Sequence, residues 1–490
     1  MNPVSEITKL RRNILTRVAR WALNKPLDEQ PTDEVIRNMV MEMIPDGPAR
    51  YRCCIYKERA VAEAWIRIIT GLEASEQVVT VIPEACNGCS LNKYFVTDAC
   101  QNCVAHSCRN SCPQKAISVL QNRAYIDNNS CVECGICAKN CPYHAIVEIS
   151  RPCERSCDMG AIKVDECRRA VIDLDKCVSC GMCVAVCPFG AITDTSKILD
   201  VVKALRIKEQ PMVAIIAPSL PGQFGPKATP GHIKTAILKL GFDGVVEAAL
   251  GADVVAKQDA EEIRNHPESK LMTNSCCPAY AKAVTIKLPE IAGKISDTPS
   301  PMRVTGRLVK ERYANKVTTV FIGPCIAKKA EATLGGEIDM ALTFEELSAL
   351  FAASDIDPAN HVPADMNDAS PYGRLFAKAG GVSAAVTRHL PDVSMEVLQV
   401  QGIEHGLAAL RSAANALKGT RTADSDKFTF IECMACEGGC VGGPGTLVRS
   451  NVAARAVEAF SNLANTGTRN NALGIFEAGL KGNRSATEEG

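Results

Sequence analysis

The 490-residue chain carries 25 cysteines, and they fall in runs. From 100 to 141 the order is Cys100-x2-Cys103-x4-Cys108-x3-Cys112-Pro, then Cys131-x2-Cys134-x2-Cys137-x3-Cys141-Pro. A third run is Cys177-x2-Cys180-x2-Cys183-x3-Cys187-Pro. Near the C-terminus, "ECMACEGGC" at 432–440 holds three more thiols, the last two separated by Glu-Gly-Gly. Alone, that stretch is open to disulfide, zinc, iron–sulfur and nucleophile readings. Thiols two or three residues apart, in a large chain with no stretch of signal-peptide type, point to metal binding before disulfides.

The second and third runs match the bacterial ferredoxin signature, in which three cysteines hold one [4Fe–4S] cubane and the fourth crosses to its neighbour. Short spacings let one loop wrap three corners of a cluster, and the following proline turns the chain away. A zinc ribbon would use two separated Cys-x2-Cys pairs and would need neither the third thiol nor the Cys-Pro. The crossing rule predicts one cluster on Cys100, Cys103, Cys108 and Cys141, and a partner on Cys131, Cys134, Cys137 and Cys112. "SRPCERSCDMGAI" at 150–162 reads as a worn copy of "HSCRNSCPQKAI". Cys157 then completes a third cluster with Cys177, Cys180 and Cys183. Cys153 and Cys187 are left as half of a fourth site. Cys86 and Cys89 could supply the rest, as could Cys53, Cys54 or Cys167; buried or free thiols is the preferred reading. His106 and His144 read as surface or supporting residues. Such a series makes sense as an electron wire.

The elements that must hold these groups change character along the chain. Residues 1–95 carry no assignable motif beyond a first helix with Ile7, Leu10, Ile14 and Val18 on one face; capping, ligand supply and partner binding all stay open for them. Residues 96–200 form a ferredoxin-like domain, and 206–480 read as α/β. "PMVAIIAPSL" and "VTTVFIGPC" are buried strands running into proline loops, and 232–265 reads as helix, short strand, helix. No Walker A or Gly-rich dinucleotide motif is present. Basic and acidic residues balance at 55 each, which gives no signal for nucleic acid or an anionic membrane. No stretch approaches the roughly 18 apolar residues of a membrane span, so a cytoplasmic protein is expected.

Six cysteines remain, in "TNSCCPAY", "IGPCIAKKAE" and "ECMACEGGC". Four thiolates from three loops could hold one further cubane. In order and separation, these segments resemble the three signature motifs of [FeFe]-hydrogenases. The resemblance, with the ferredoxin-type domain in front, covers residues 95 to about 455. It implies an α/β H-cluster domain whose [4Fe–4S] cubane is joined through one cysteine to a diiron unit bearing CO, cyanide and a bridging dithiolate. Carried over, the cubane ligands are Cys277, Cys325, Cys436 and Cys440, with Cys440 as the bridge. Gly438 and Gly439 then let the backbone approach closely. Cys276 matches the proton-transfer cysteine, and Lys328 the lysine that hydrogen-bonds a cyanide. Met434 matches the methionine near the bridging carbonyl; Ala217, Pro218 and Ser219 resemble the pocket loop. Asp259, Glu262 and Ser296 fall where the family's proton relay lies, with Asp259 standing where Glu is usual. Cys433 lies outside the ligand set and reads as a buried thiol.

The implied activity is 2H⁺ + 2e⁻ ⇌ H₂, with H₂ and protons as substrates. Three accessory [4Fe–4S] clusters, a fourth being open, would pass electrons to a ferredoxin-type carrier, and maturation proteins would insert the diiron unit. Two other classes remain. One is a hydrogen-sensing regulator, disfavoured by Cys276 and by a 456–490 tail that reads as a helix and a polar extension. The other is a hydrogenase-like iron–sulfur assembly or electron-carrier protein, disfavoured by the intact "MACEGGC" loop and Lys328. "GPC" in place of "MPC", and "GGCVGGPGTL" in place of "GGCxxGGGQP", mark a less-studied branch.

Overall fold

A computed structural model describes residues 5–25, 30–73, 77–86, 89, 92–419 and 427–464. Buried runs such as Met212–Ile216, apolar at every position, become the central strands of a parallel sheet, since both of its faces are covered. Its order is Gly244–Glu247, Met212–Ile216, Thr318–Gly323, Met340–Thr343, with every pairing parallel. A second parallel sheet places Phe428–Met434 between Leu271–Thr273 and Met395–Gln401. The helix, strand, helix expected over 232–265 is Pro230–Leu240, Gly244–Glu247 and Ala248–Asn265. Leu205, Ile233 and Phe344 are among the residues that close the core over the first sheet. This is an α/β domain, and every strand that leads into a motif loop enters it from its carboxyl end.

The iron–sulfur region consists of short strand pairs and one-turn helices, as expected where cysteine loops leave little room for regular structure. Tyr94–Val96 pairs antiparallel with Ile146–Glu148, and Ile117–Leu120 with Arg123–Ile126. Ile162–Val164 pairs with Ala170–Ile172. Val79–Val81, placed with the N-terminal region on sequence, pairs with Ile192–Asp194 and so crosses the boundary expected at 95. Before Val79 the described elements are helices, Glu6–Asn24, Asp33–Met43 and Ile55–Ile69. Ser5 and Thr32 cap Glu6–Asn24 and Asp33–Met43 through their hydroxyls. The first helix buries Ile14, Leu15, Val18 and Ala19 against Phe344–Ala353 and Ile198–Ile207. Its apolar face is thus the expected one, and what it covers is the C-terminal domain. The end of the 206–480 domain beyond 464 lies outside the described residues, as does the polar extension; Ser450–Asn462 is the last described helix. Among the described residues no helix is long and apolar enough to cross a membrane.

Candidate metal centre and active site

Cysteines converge on three cavities in the ferredoxin-like region. One is lined by Cys100, Cys103, Cys108 and Cys141, with His106 at its wall. The next is lined by Cys112, Cys131, Cys134 and Cys137, and the third by Cys157, Cys177, Cys180 and Cys183. The structure therefore brings together the three sets that the crossing rule assigns. At each crossing position the thiol accepts a backbone N–H from the alanine four residues on. Ala116 N donates to Cys112 Sγ at 3.4 Å, Ala145 N to Cys141 Sγ at 3.3 Å and Ala161 N to Cys157 Sγ at 3.2 Å. Such donors favour the thiolate that iron requires. Among the described residues no three His, Cys, Asp or Glu side chains close on a single metal ion; the thiols surround cavities instead.

The third cavity also touches Ile403 and Ala435, and Cys157, Cys177 and Cys180 pack in one cluster with Cys277 and Cys325. The ferredoxin-like region thus abuts the loops of the C-terminal domain. Those loops leave the carboxyl ends of parallel strands, where α/β sheets hold ligands. Cys276 and Cys277 follow Leu271–Thr273, Cys325 follows Thr318–Gly323, and Cys436 and Cys440 follow Phe428–Met434. Burial pushes the Cys325 thiol up to about 11, with Cys277 adding to it and Lys328 opposing. Burial likewise takes Cys440 to about 12, with Cys325 and Cys277 adding. Cys436 is raised by burial and then by Cys325, Cys277 and Cys440. Three thiols that so resist ionisation, with Cys277 beside them, need a bound cation to carry their charge, which is the donor chemistry of a cubane site.

Other groups complete the pocket. Ser219 is fully buried, and its hydroxyl has no partner among the described residues, so it can serve a polar ligand. It stands one residue after Pro218, in the loop after Met212–Ile216. Met434 ends its strand at 2% exposure. Lys328 is buried: its Nζ donates to Glu331 Oε2 at 2.6 Å and to the Cys276 carbonyl at 3.2 Å. Burial works against the ammonium, but Glu331 beside it more than offsets that, and its pKa is raised. Gly438 and Gly439 have φ of 84° and 88°. A Cβ on Gly439 would lie 2.8 Å from Ala379 N and 2.9 Å from Ala377 O, so the close approach is to the protein's own backbone. Cys433 is buried, with its thiol toward the Gly402 carbonyl at 3.6 Å.

Residues 210–444 match the family described as "Iron only hydrogenase large subunit, C-terminal domain", and 124–147 and 170–193 match the 4Fe-4S binding domain. Residues 210–444 belong to the iron-only hydrogenase large-subunit family. Iron hydrogenase 1 of Clostridium pasteurianum is 29% identical over 305 residues, which cover 50% of this chain and 52% of that protein. The NADP-reducing hydrogenase subunit HndD of Solidesulfovibrio fructosivorans is 27% identical, over 51% of this chain and 52% of its own. The chain thus spans about half the length of these two relatives. A cytosolic Fe-S cluster assembly factor of Yarrowia lipolytica is 23% identical, over 44% of this chain and 60% of its own. Among solved structures, an apo [FeFe]-hydrogenase of Chlamydomonas reinhardtii aligns at 18% identity over 56% of this chain and 92% of its own, with a TM-score of 0.46.

Within this family frame the relay candidates sit together. Ser296 Oγ lies 2.7 Å from Asp259 Oδ1 and 2.8 Å from Glu262 Oε2. One hydroxyl proton cannot serve two carboxylates, so one carboxyl must carry a proton of its own. Burial raises Asp259 to about 7, against hydrogen bonds from Ser296 and Thr298, and Glu262 adds to the rise. Thr298 leads onward, because its carbonyl accepts from Ser275 Oγ at 2.5 Å, next to Cys276. Asn274, which sequence reasoning passed over, fixes this loop. Its Nδ2 donates to Cys276 Sγ and to the Cys433 carbonyl, each at 3.2 Å, and its Oδ1 accepts from Cys433 N at 2.7 Å. The signal was an amide inside "TNSCC", but its partner is 159 positions away.

Proposed function

We propose that this chain is an [FeFe]-hydrogenase catalysing 2H⁺ + 2e⁻ ⇌ H₂. The observation that carries this reading is the convergence of Cys277, Cys325, Cys436 and Cys440 beside a buried thiol at Cys276 and a buried ammonium at Lys328. Those four cysteines would hold the cubane of an H-cluster, with Cys440 shared with the diiron unit. When bound, that unit supplies an open iron coordination position and a basic bridge for proton–electron chemistry.

The chain's own residues supply the rest. Lys328 offers a charged donor to an anionic ligand, held by Glu331. Ser219 offers a neutral donor. Cys276 carries a proton at Sγ; burial, and then Cys277 and Cys440 nearby, keep that thiol protonated. A proton from solvent reaches half-buried Glu262, passes through Ser296 Oγ to Asp259, and continues by Thr298 toward Cys276. Cys157, Cys177, Cys180 and Cys183 would hold the cluster that supplies electrons, since their site packs against the active-site loops. A ferredoxin-type carrier outside the chain would feed that wire.

A second reading is an iron–sulfur assembly factor, favoured by the similarity to the Yarrowia lipolytica protein. Hydrogen evolution separates the two. Protein matured with the diiron assembly machinery should evolve H₂ from dithionite-reduced viologen. If it carries full cubanes and a diiron unit yet evolves none, and exchanges no H₂ with D₂O, the catalytic reading fails.

A further inference from the structure

Residues 92–149 form one complete two-cluster module. Its first strand, Tyr94–Val96, pairs with its last, Ile146–Glu148, and Thr97 N donates to the Ala145 carbonyl at 2.7 Å just past that pair. Cys100 and Cys103 follow in the next loop. The same construction recurs once more, split in two. Val79–Val81 pairs with Ile192–Asp194, and Ile82 N donates to the Ala191 carbonyl, also at 2.7 Å. Cys86-x2-Cys89 then stands where Cys100-x2-Cys103 stands. The chain leaves this second module at 89, builds the whole first module, and returns at 151 with Cys153 in the place of Cys108. The inner hairpin repeats too, Ile117–Leu120 with Arg123–Ile126 matching Ile162–Val164 with Ala170–Ile172. One ferredoxin module is nested inside the first ligand loop of another.

This nesting completes a ligand set. Cys187 accepts a hydrogen bond from Ala191 N at 3.3 Å, the same contact made by Cys112, Cys141 and Cys157. Each of those three crosses to a cavity lined by three other cysteines. Cys86 accepts from Ala170 N at 3.1 Å, on the inner hairpin of the returned half. Cys86, Cys153 and Cys187 are 7%, 6% and 9% exposed and share one core cluster. Cys53, Cys54 and Cys167, the other candidates on sequence, are all exposed. We infer that Cys86, Cys89, Cys153 and Cys187 hold a fourth accessory [4Fe–4S] cluster, and that residues 77–89 belong to the electron-transfer domain. The thiols act on one another as such a set requires. Burial raises Cys153 to about 11, with Cys187 and Cys89 adding to it. Burial raises Cys89, with Cys187 adding before Arg151 opposes. Cys183 of the third site packs against the core cluster that holds Cys86, Cys153 and Cys187, so the fourth cluster is the next stop on the wire. Fourfold thiolate ligation is the ordinary requirement of such a cubane.

The test uses full-length chain purified anaerobically without maturation proteins, so its outcome does not depend on the diiron unit. Iron and acid-labile sulfide are counted, and the EPR of the dithionite-reduced protein is integrated. The Cys86→Ser/Cys89→Ser chain should hold about four irons and four sulfides fewer than the parent, with about one spin lost. The Cys53→Ser/Cys54→Ser chain should match the parent. Parent-level iron in the first variant, or the same loss in the second, overturns the assignment. If the first variant fails to fold, Cys89→Asp decides. A carboxylate there should retain most of the iron and add a [3Fe–4S] signal on oxidation, and a spectrum identical to the parent's overturns the assignment.

Discussion

Lys329 donates from Nζ to Asp194 Oδ2 at 2.7 Å, joining the helix after the Cys325 loop to the last strand of the outer ferredoxin module. The same ammonium lies 2.8 Å from Glu346, and Asp194 also pairs with Arg11 of the first helix, which reaches Glu345 at 3.3 Å. Lys329 and Asp194 are both nearly fully buried. Lys328 reaches the Cys276 loop while its neighbour fastens the ferredoxin-like region to the C-terminal domain. Removing one member of a buried ion network leaves uncompensated charge, which typically costs about 3–5 kcal/mol. Lys329→Met should therefore lower the unfolding midpoint well below that of a surface control such as Lys316→Met. Equal midpoints by near-ultraviolet circular dichroism would show that the clamp contributes nothing.

Asp259 gives stability a pH dependence with a definite sign. Its folded value of about 7 lies above the usual carboxylate range, so between about pH 4 and pH 7 the folded chain holds a proton that the unfolded chain has lost. This contribution is fully present below about pH 4 and is lost as pH rises through 7, for a total of roughly 4 kcal/mol. Asp259→Asn should flatten that part of the profile. Urea midpoints of parent and variant at about pH 5 and about pH 8 make the comparison. The same substitution should slow hydrogen turnover by about 10²-fold or more, since the relay loses its titrating member.

The local chemistry was legible in the sequence, and the long-range closure was not. Three cysteine sets followed from spacing, because each loop supplies three corners of its own cluster. The strands at 212–216 and 318–323 were legible as unbroken apolar runs, the mark of parallel strands covered on both faces. The nested module was hidden. Val79–Val81 finds its partner more than a hundred residues away, and a three-residue strand carries no periodicity. Lys329 was equally silent, because its partners Asp194 and Glu346 come from two other segments. Gly438 and Gly439 were read as a close approach; Gly439 approaches the backbone at 377–379, while a side chain at Gly438 would meet only Ser450 and Val441.

Gly439→Ala tests that loop directly. A side chain at φ of 88° is strained, and its Cβ would press on Ala377 O and Ala379 N. The strain alone is of order 1–3 kcal/mol. Displacing the loop should move Cys436 and Cys440, so the variant should lose the C-terminal cubane, about four irons, while keeping the ferredoxin-type clusters. Full iron content in a folded variant would show that the glycine is dispensable.

Cys276→Ser separates proton delivery from assembly. A serine hydroxyl is a weaker acid than a thiol in the same surroundings, so it passes a proton less readily. Cubane content should match the parent, because Cys276 is outside the ligand set, while turnover should fall by about 10²–10⁴-fold. A variant that retains parent turnover would remove Cys276 from the proton path.

The central claim is that Cys277, Cys325, Cys436 and Cys440, with Lys328 and Ser219 beside them, are built to hold an H-cluster. The most direct measurement is the infrared spectrum of protein purified anaerobically after coexpression with diiron maturation proteins. Sharp bands in the CO and CN⁻ stretching region are predicted, and Lys328→Met should shift the CN⁻ bands. Silence in that region, with iron and sulfide present and a known hydrogenase matured in parallel giving bands, would contradict the claim and leave an electron carrier or assembly factor.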